Sequence, residues 1–199
     1  MITMQLDEAW KEYILPHTKN PRWLEESKAI SEAVPVSKRE LLGLILLAHI
    51  QNHVHSNKNW IVGYDEIAPE PNDGFITNAN LRIDVEHKIV PQMSTDDPLE
   101  GILSTYEKYS NKGEAYGGNR TLIIHANKAS QGMIKVSSLK DKIDGDSPFE
   151  RVLLMNAVTG IKNGIFSIHV TEHYPNFGIA QVDLNVRTGT AIVPHYGIK

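Results

Sequence analysis

Apolar residues recur along the chain with helical spacing in some stretches and in strict alternation in others. Residues 38–55 carry a wide apolar face, and Ser37 and Glu40 stand three apart at its start, as in a helix capping box. This pattern predicts a buried helix over residues 38–55. Shorter helices are predicted over residues 6–15 and 23–34, which prolines separate from the segments that follow.

Helical and strand-like segments alternate through the rest of the chain. The order of helix, three strands, helix and strand in the middle predicts an α/β (α+β) fold, in which helices flank a mixed central sheet. Further helices are predicted over residues 98–110 and 149–159. Strands are predicted over residues 59–68, 73–77, 81–90, 120–126, 165–172, 179–186 and 190–194.

The strand over residues 81–90 has the most regular alternation. Because successive side chains of a strand point to opposite faces, its apolar residues lie on one face and its charged residues on the other. The charged residues are Arg82, Asp84, Glu86 and Lys88.

Asp73 stands shortly before this strand. A tight turn at residues 78–80 that pairs Thr77 with Asn80 would set the register of the two strands. Asp73 then lies opposite Asp84 and diagonal to Glu86. Neighbouring carboxylates repel one another, and a bound divalent cation with oxygen ligands, Mg²⁺ or Mn²⁺, would remove the conflict.

Lys88 adds a positive charge to this patch. A lysine beside a metal ion can orient or activate a water molecule and stabilise charge on a phosphorane. Pro71-Asn72-Asp73-Gly74-Phe75-Ile76 followed by Glu86-His87-Lys88 resembles the motif of the PD-(D/E)XK (restriction-endonuclease-like) superfamily. Asn72 departs from the motif, since the family's proline directly precedes its first acid. The resemblance covers roughly residues 37–126.

The resemblance implies a metal-dependent nuclease that hydrolyses phosphodiester bonds in DNA, as restriction, phage and repair endonucleases do. It assigns catalysis to Asp73, Glu86 and Lys88, with a 5′-phosphate and a 3′-hydroxyl as the product ends. The implied ligands of Mg²⁺ or Mn²⁺ are Asp73, Glu86, the carbonyl of His87, Asp84 and Glu40.

Other residues are assigned to the surroundings of this centre. Gln92 matches a glutamine that some family branches place after the lysine, and capping explains Glu40 as well as metal binding does. Residues 61–118 hold 11 acidic and 4 basic residues, whereas residues 119–199 hold 9 basic and 6 acidic ones. The predicted contacts to the DNA backbone are therefore Arg120, Lys128 and Lys135.

The composition sets the remaining expectations. With 199 residues, 41% of them hydrophobic, the chain suits a helical extension over residues 1–36 and a nuclease domain over residues 37–199. The absence of cysteine excludes disulfides and cysteine zinc sites. No signal-peptide pattern or membrane-spanning run is found, so a cytoplasmic protein without a membrane partner is expected. Cutting both strands of DNA usually needs two active sites, which favours a homodimer.

Two other functions stay open. A net charge of −4 and a pI of about 6.1 suit a non-catalytic α/β binding or scaffold module. A metal-dependent hydrolase of small phosphorylated molecules would use the same carboxylates. His49 and His53 have the spacing of a zinc pair but lack the glutamate of metalloproteases. Tyr106, Tyr109 and Tyr116 could stack on bases.

Overall fold

The computed structural model describes residues 1–19, 29–31, 34–55, 59–65, 73–90, 98–126, 137–143, 147–157 and 163–198. The helices are α1 (Leu6–Ala9), followed by a π-helical segment (Trp10–Ile14) and a 3-10 segment (Leu15–His17), α2 (Lys38–Val54), α3 (Pro98–Ser110), α4 (Glu114–Gly117) and α5 (Ser137–Ile143). The strands are β1 (Ile2–Met4), β2 (Ala29–Ser31), β3 (Val34–Ser37), β4 (Ile61–Tyr64), β5 (Phe75–Thr77), β6 (Arg82–Ile89), β7 (Arg120–His125), β8 (Arg151–Ala157), β9 (Ile165–Tyr174), β10 (Gly178–Asn185) and β11 (Ala191–Ile198).

One mixed sheet organises the molecule. Its nine strands, counted in the described part of the chain, run in the order β1-β4-β5-β6-β7-β8-β9-β10-β11. The β6–β7 and β7–β8 pairs are parallel, and the other pairs are antiparallel. The prediction of a mixed sheet flanked by helices is confirmed at this level. Strands β2 and β3 form a separate two-stranded ribbon.

The sheet separates two hydrophobic cores. The apolar face of α2 packs on one side, where Leu44, Ile45 and Leu47 are fully buried. Because α2 is apolar almost all round, it also contacts the helical segments near the N-terminus. On the other side, Ile102 of α3 and Leu139 of α5 cover the sheet. The capping box at Ser37 forms as predicted.

Trp10 links the start of the chain to its last hairpin. The indole N–H donates to the carbonyl of Val186 at 2.9 Å. Gly189 has φ +72°, and a Cβ there would lie 2.5 Å from the Trp10 ring. Its carbonyl lies 3.2 Å from Nε2 of His49. Glycine is therefore required at this turn by both the backbone angle and the close approach of the indole.

The predicted domain boundary at residue 36 stays a prediction.

Two predicted helices are wrong. Residues 151–157, inside the predicted helix over 149–159, form β8, whose apolar residues enter the two cores alternately. A short apolar run suits a strand buried on both faces, and its periodicity cannot separate that strand from a helix. In the predicted helix over 23–34, the described residues 29–31 form β2. Val34 precedes a proline, which favours extended backbone.

None of the helices in the described residues is long and apolar enough to cross a membrane.

Candidate active site

The turn between β5 and β6 sets the register of the strands that carry the predicted acids. The Asn78 side chain accepts hydrogen bonds from the backbone N–H groups of Asn80 and Leu81, at 2.9 and 3.0 Å. Thr77 pairs with Arg82, and the predicted pairing of Thr77 with Asn80 is wrong. The asparagine side chain closes a wider turn than expected, because it replaces a backbone acceptor.

Asp73 lies level with Glu86 as a result. Phe75 pairs with Asp84, so residue 73, two positions earlier, comes opposite residue 86. The expected pairing of Asp73 with Asp84 is therefore wrong. The Asp73 carboxylate accepts the backbone N–H of His87 at 2.6 Å, which holds the acid against β6.

Lys88 joins the two acids. Its Nζ lies 3.3 Å from Asp73 Oδ2 and donates a short hydrogen bond to Glu86 Oε1. The side chains of Glu86, Lys88 and Asp73 are 5%, 16% and 19% exposed, so the group lies in a recess. The structure thus brings together the three residues to which the sequence assigns catalysis.

Tyr116 is a member of this group that the sequence argument placed only as a base-stacking candidate. Its hydroxyl donates to Glu86 Oε1, the oxygen that also accepts from Lys88. Its ring stacks on Tyr109, with centroids 6.1 Å apart, and meets the edge of Phe149 at 6.2 Å. The ring is carried by the short helix α4. Gly117, next to Tyr116, was the available signal, because a Cβ there would lie 2.7 Å from the carbonyl oxygen of Pro148.

Arg120 lies at the mouth of the same group. Its Nη1 is 3.9 Å from Glu86 Oε2, and its guanidinium carbon is 5.6 Å from the centroid of the Tyr116 ring. The structure therefore places one predicted substrate contact beside the acids. Gln92, Lys128 and Lys135 lie outside the described residues.

Burial and charge set the protonation of the group. Burial raises the pKa of the Asp73 carboxyl to about 6, although Lys88 lies beside it. The charges of Glu86 and Glu40 act in the same direction as burial. Burial also opposes the charge on Lys88, but attraction to Asp73 and Glu86 outweighs it and raises the pKa of the amine. Lys88 is therefore a cation at neutral pH.

The imidazole of His87 points to the other face of β6. Its Nδ1 lies 3.0 Å from Nε2 of His125, and the two rings stack. Gly43 of α2 packs against the pair, because a Cβ there would lie 2.9 Å from His87 Nδ1. Burial lowers the pKa of His125 to about 3 and that of His87 well below its ordinary value. Both rings are neutral, and only the backbone of His87 faces the acids.

Asp84 is not brought into the group. Its carboxylate accepts from Arg82 Nε at 2.8 Å, and Arg82 also bonds to Asp65 at 2.6 Å. These three side chains form a network of their own, partly exposed to solvent. Asp84 is therefore occupied by a cation of the protein itself.

Glu40 has the role of a capping residue. Its carboxylate accepts the backbone N–H of Ser37 at 2.6 Å, and the Ser37 hydroxyl accepts the N–H of Glu40 at 3.3 Å. Its charge nevertheless contributes to the raised pKa of Asp73. Its assignment as a metal ligand stays a prediction.

The donor set suits a small divalent cation. Oε2 of Glu86 is buried, and no donor of the described residues lies within hydrogen-bonding distance of it. In the same part of the chain, no three or more histidine, aspartate or glutamate side chains are grouped as a metal site. Two carboxylates and water are nevertheless a common set for Mg²⁺, which keeps several of its own water ligands.

Comparisons with known proteins give no relative from which a function could be inferred. No family model matches the sequence, and neither the curated proteins nor the solved structures give a match.

Proposed function

We propose that this protein is a metal-dependent nuclease that hydrolyses phosphodiester bonds in DNA, with the chemistry of the PD-(D/E)XK superfamily. The convergence of Asp73, Glu86 and Lys88 in one recess is the observation that carries the proposal. The family resemblance implies this arrangement: one acid on each of two adjacent strands, and a lysine two residues after the second acid.

The order of the elements around the recess supports a restriction-endonuclease-like core over residues 37–126. Helix α2 precedes the antiparallel strands β4, β5 and β6. Helix α3 then connects β6 to β7, which lies parallel to it. Glu86 lies on β6 and Asp73 two residues before β5, so the acids stand at neighbouring strands near the middle of the sheet, where the strands are held from both sides.

Asp73, Glu86 and the backbone carbonyl of His87 would hold Mg²⁺ or Mn²⁺. The bound ion supplies a water of lowered pKa and neutralises charge on the phosphate. The buried Glu86 Oε2, which has no donor among the described residues, is the ligand atom that fits best. A cation bound there would satisfy a buried carboxylate oxygen that accepts no hydrogen bond from the described residues and has Arg120 Nη1 only at 3.9 Å.

Lys88 supplies a fixed positive charge. Because its pKa is raised, the amine stays protonated at neutral pH and donates hydrogen bonds rather than accepting a proton. It therefore orients the attacking water and stabilises the negative charge of the phosphorane oxygens. The expected products carry a 5′-phosphate and a 3′-hydroxyl.

The test is cleavage of plasmid and linear DNA by the purified protein in Mg²⁺ or Mn²⁺. Glu86→Gln and Lys88→Met should each lower the rate by about a hundredfold or more, since each removes a charge needed in the transition state. A folded protein that cuts none of these substrates with either ion contradicts the proposal.

A matched control separates chemistry from stability. Arg151 and Glu172 form a second ion pair at 2.8 Å, with side chains 19% and 16% exposed, elsewhere on the sheet. Glu172→Gln removes one partner of a similarly buried pair but no ligand of the proposed site. It should keep the parent cleavage rate per folded molecule.

A non-catalytic binding or scaffold module also has an observation in its favour. Lys88 and Tyr116 already satisfy Glu86 Oε1, and His87 N–H satisfies Asp73, so the protein balances most of these charges itself. Calorimetric titration with Mn²⁺ distinguishes the two functions. Uptake that is lost in Glu86→Gln supports the nuclease, whereas a folded protein that takes up no Mn²⁺ supports the binding module.

A further inference from the structure

Two tyrosines lie side by side at the edge of the recess. Tyr109 lies in the last turn of α3, and Tyr116 lies in α4. Their rings stack, with centroids 6.1 Å apart and planes 25° from parallel. Both side chains are half-buried. The Tyr116 hydroxyl reaches Glu86, so the stack leads directly from the surface to the proposed active site.

Two lysines of the same region cover the tyrosines. Lys112 Nζ lies 4.7 Å from the centroid of Tyr109 and 4.1 Å from that of Tyr116, and Lys108 Nζ lies 5.5 Å from that of Tyr109. Both lysines are exposed. Among the described residues, no carboxylate lies within ion-pair distance of either amine. Lys88 Nζ also lies 4.9 Å from the centroid of Tyr109. This tyrosine–lysine surface, formed by Tyr109, Tyr116, Lys108 and Lys112, therefore combines two aromatic rings with two exposed cations that have no carboxylate partner among the described residues.

The depth of the acids limits the form of the substrate. Glu86 is 5% exposed and lies beneath Tyr116, so a reacting phosphate must enter the recess to reach it. A DNA duplex is a stiff rod with a persistence length of about 150 base pairs, whereas a single strand bends freely. Single strands also bind proteins by stacking bases on aromatic rings beside a positively charged groove.

We propose that the tyrosine–lysine surface binds single-stranded DNA and guides it into the recess of Asp73, Glu86 and Lys88. Lysine amines bind the phosphates, and a base stacks on the Tyr109 ring when Lys112 moves from the ring to the backbone. The inference rests on the proposed nuclease function, because it names the form of DNA that the site takes. One active site is sufficient for a single strand; the homodimer expected for duplex cleavage stays a prediction.

The test is fluorescence anisotropy of a dye-labelled oligothymidine and of a duplex of equal length. Ca²⁺ replaces Mg²⁺ so that binding is measured without cleavage. The parent protein should bind the single strand about tenfold more tightly than the duplex, which corresponds to one stacked base. Tyr109→Ala should remove this preference, and Tyr109→Phe, which keeps the ring, should retain it.

The lysines are tested by the salt dependence of binding. Lys108→Ala and Lys112→Ala should each reduce the slope of log K against log salt by about 0.7, the value for one phosphate contact of a single strand. Lys140 of α5 is the matched control, because its amine also lies over an aromatic ring, 6.0 Å from the centroid of Phe177, but not over Tyr109 or Tyr116. Lys140→Ala should keep the parent slope.

The outcomes separate this inference from the nuclease proposal. Equal or tighter binding of the duplex, or parent affinity and slope in the folded Tyr109 and lysine variants, overturns the tyrosine–lysine surface. Single-strand binding that depends on these residues, without any cleavage in Mg²⁺ or Mn²⁺, supports the surface and overturns the nuclease. Cleavage confined to duplex DNA supports the nuclease and overturns the proposed role of the tyrosine–lysine surface.

Discussion

The two faces of β6 bury polar groups in opposite ways. On one face, Glu86 and Lys88 are charged and held by each other, with Asp73 bonded to the same lysine. On the other face, His87 and His125 are uncharged rings packed against α2. One strand of eight residues therefore carries a charged recess and a neutral polar core back to back.

The difference shows which face needs an outside partner. The imidazole pair is enclosed by packing, since helix and sheet meet there across a glycine, although His87 Nε2 has no hydrogen-bond partner among the described residues. On the charged face, Lys88 bonds to both acids and Arg120 lies 3.9 Å from Glu86 Oε2, but this oxygen accepts no hydrogen bond from the described residues. A cation therefore finds charged acceptors on one face of β6, whereas the other face carries uncharged rings covered by α2.

Loss of the lysine should have the largest effect on stability. Lys88→Met leaves two buried carboxylates without their shared counter-charge, and we expect about 3 kcal/mol less free energy of unfolding at pH 8. Mg²⁺ should restore part of this loss, up to about 2.7 kcal/mol at a hundred times its dissociation constant. Urea denaturation with and without Mg²⁺ measures both.

Arg151→Met is the matched control for this recovery. It breaks the ion pair with Glu172, which lies at 2.8 Å and is similarly buried, and it should lose comparable stability. The proposed metal site of this variant is intact, so Mg²⁺ should stabilise it only as much as it stabilises the parent protein. An equal Mg²⁺-dependent gain in Lys88→Met, Arg151→Met and the parent would show that loss of the lysine creates no additional demand for a cation.

A methyl group on the neutral face should have the next largest effect. Gly43→Ala places a Cβ 2.9 Å from His87 Nδ1, so the buried imidazole pair or the helix must shift. We expect a net loss of about 2 kcal/mol, because overpacking outweighs the gain in helix propensity. In Gly197→Ala the nearest atom is His195 Nε2 at 3.8 Å, and thermal denaturation should show a change within about 0.5 kcal/mol.

The two faces should respond to pH with opposite signs. Burial lowers the pKa of His125 to about 3, so the unfolded chain takes up a proton below pH 6.5 that the folded protein refuses. Stability then falls with acidification, by up to about 1.4 kcal/mol per pH unit for each such histidine. His125→Gln should flatten the curve of unfolding free energy between pH 6.5 and 4.

Asp73 should act against this trend. Burial raises its pKa to about 6, above the ordinary value of 3.8, so the folded protein binds this proton first. Its contribution to stability rises as the pH falls from about 6 to 4 and is lost above that range. Asp73→Asn should therefore steepen the acid-side loss. A shallower curve in this variant would contradict a buried, proton-binding Asp73.

Removal of one hydroxyl should have the smallest effect. Tyr116→Phe keeps the stack on Tyr109 but removes the donor to Glu86 Oε1, which still accepts from Lys88. We expect a loss of about 1 kcal/mol in unfolding free energy, measured by urea denaturation. Tyr109→Phe is the control, and it should leave the unfolding free energy unchanged.

Local pattern was enough to predict the part of the site that lies on one strand. The alternation of residues 82–88 correctly placed Glu86 and Lys88 on the same face. The spacing of Ser37 and Glu40 correctly marked the start of α2. Both features depend on neighbours in sequence, whose geometry is fixed by the backbone itself.

The parts that depend on distant residues could not be predicted in the same way. The hydrogen bonds of the Asn78 side chain give β5 and β6 a different register from the predicted one, so Asp73 lies opposite Glu86 rather than Asp84. Tyr116 reaches Glu86 across 30 positions of the chain, through a helix too short to show a period. The apolar run of β8 fits a helix as well as a strand, and only its packing on both faces identifies it as a strand.

The contact of Trp10 with the last hairpin has a consequence for how the chain is made. The indole and its acceptor, Val186, are 176 positions apart. At about 5–20 residues per second, a ribosome needs on the order of ten to thirty seconds to span that distance. During this time a large apolar ring has no native neighbour from the hairpin and is available to chaperones or to other nascent chains. Closure of so long a loop is also entropically costly, so folding should end, rather than begin, with the docking of Trp10.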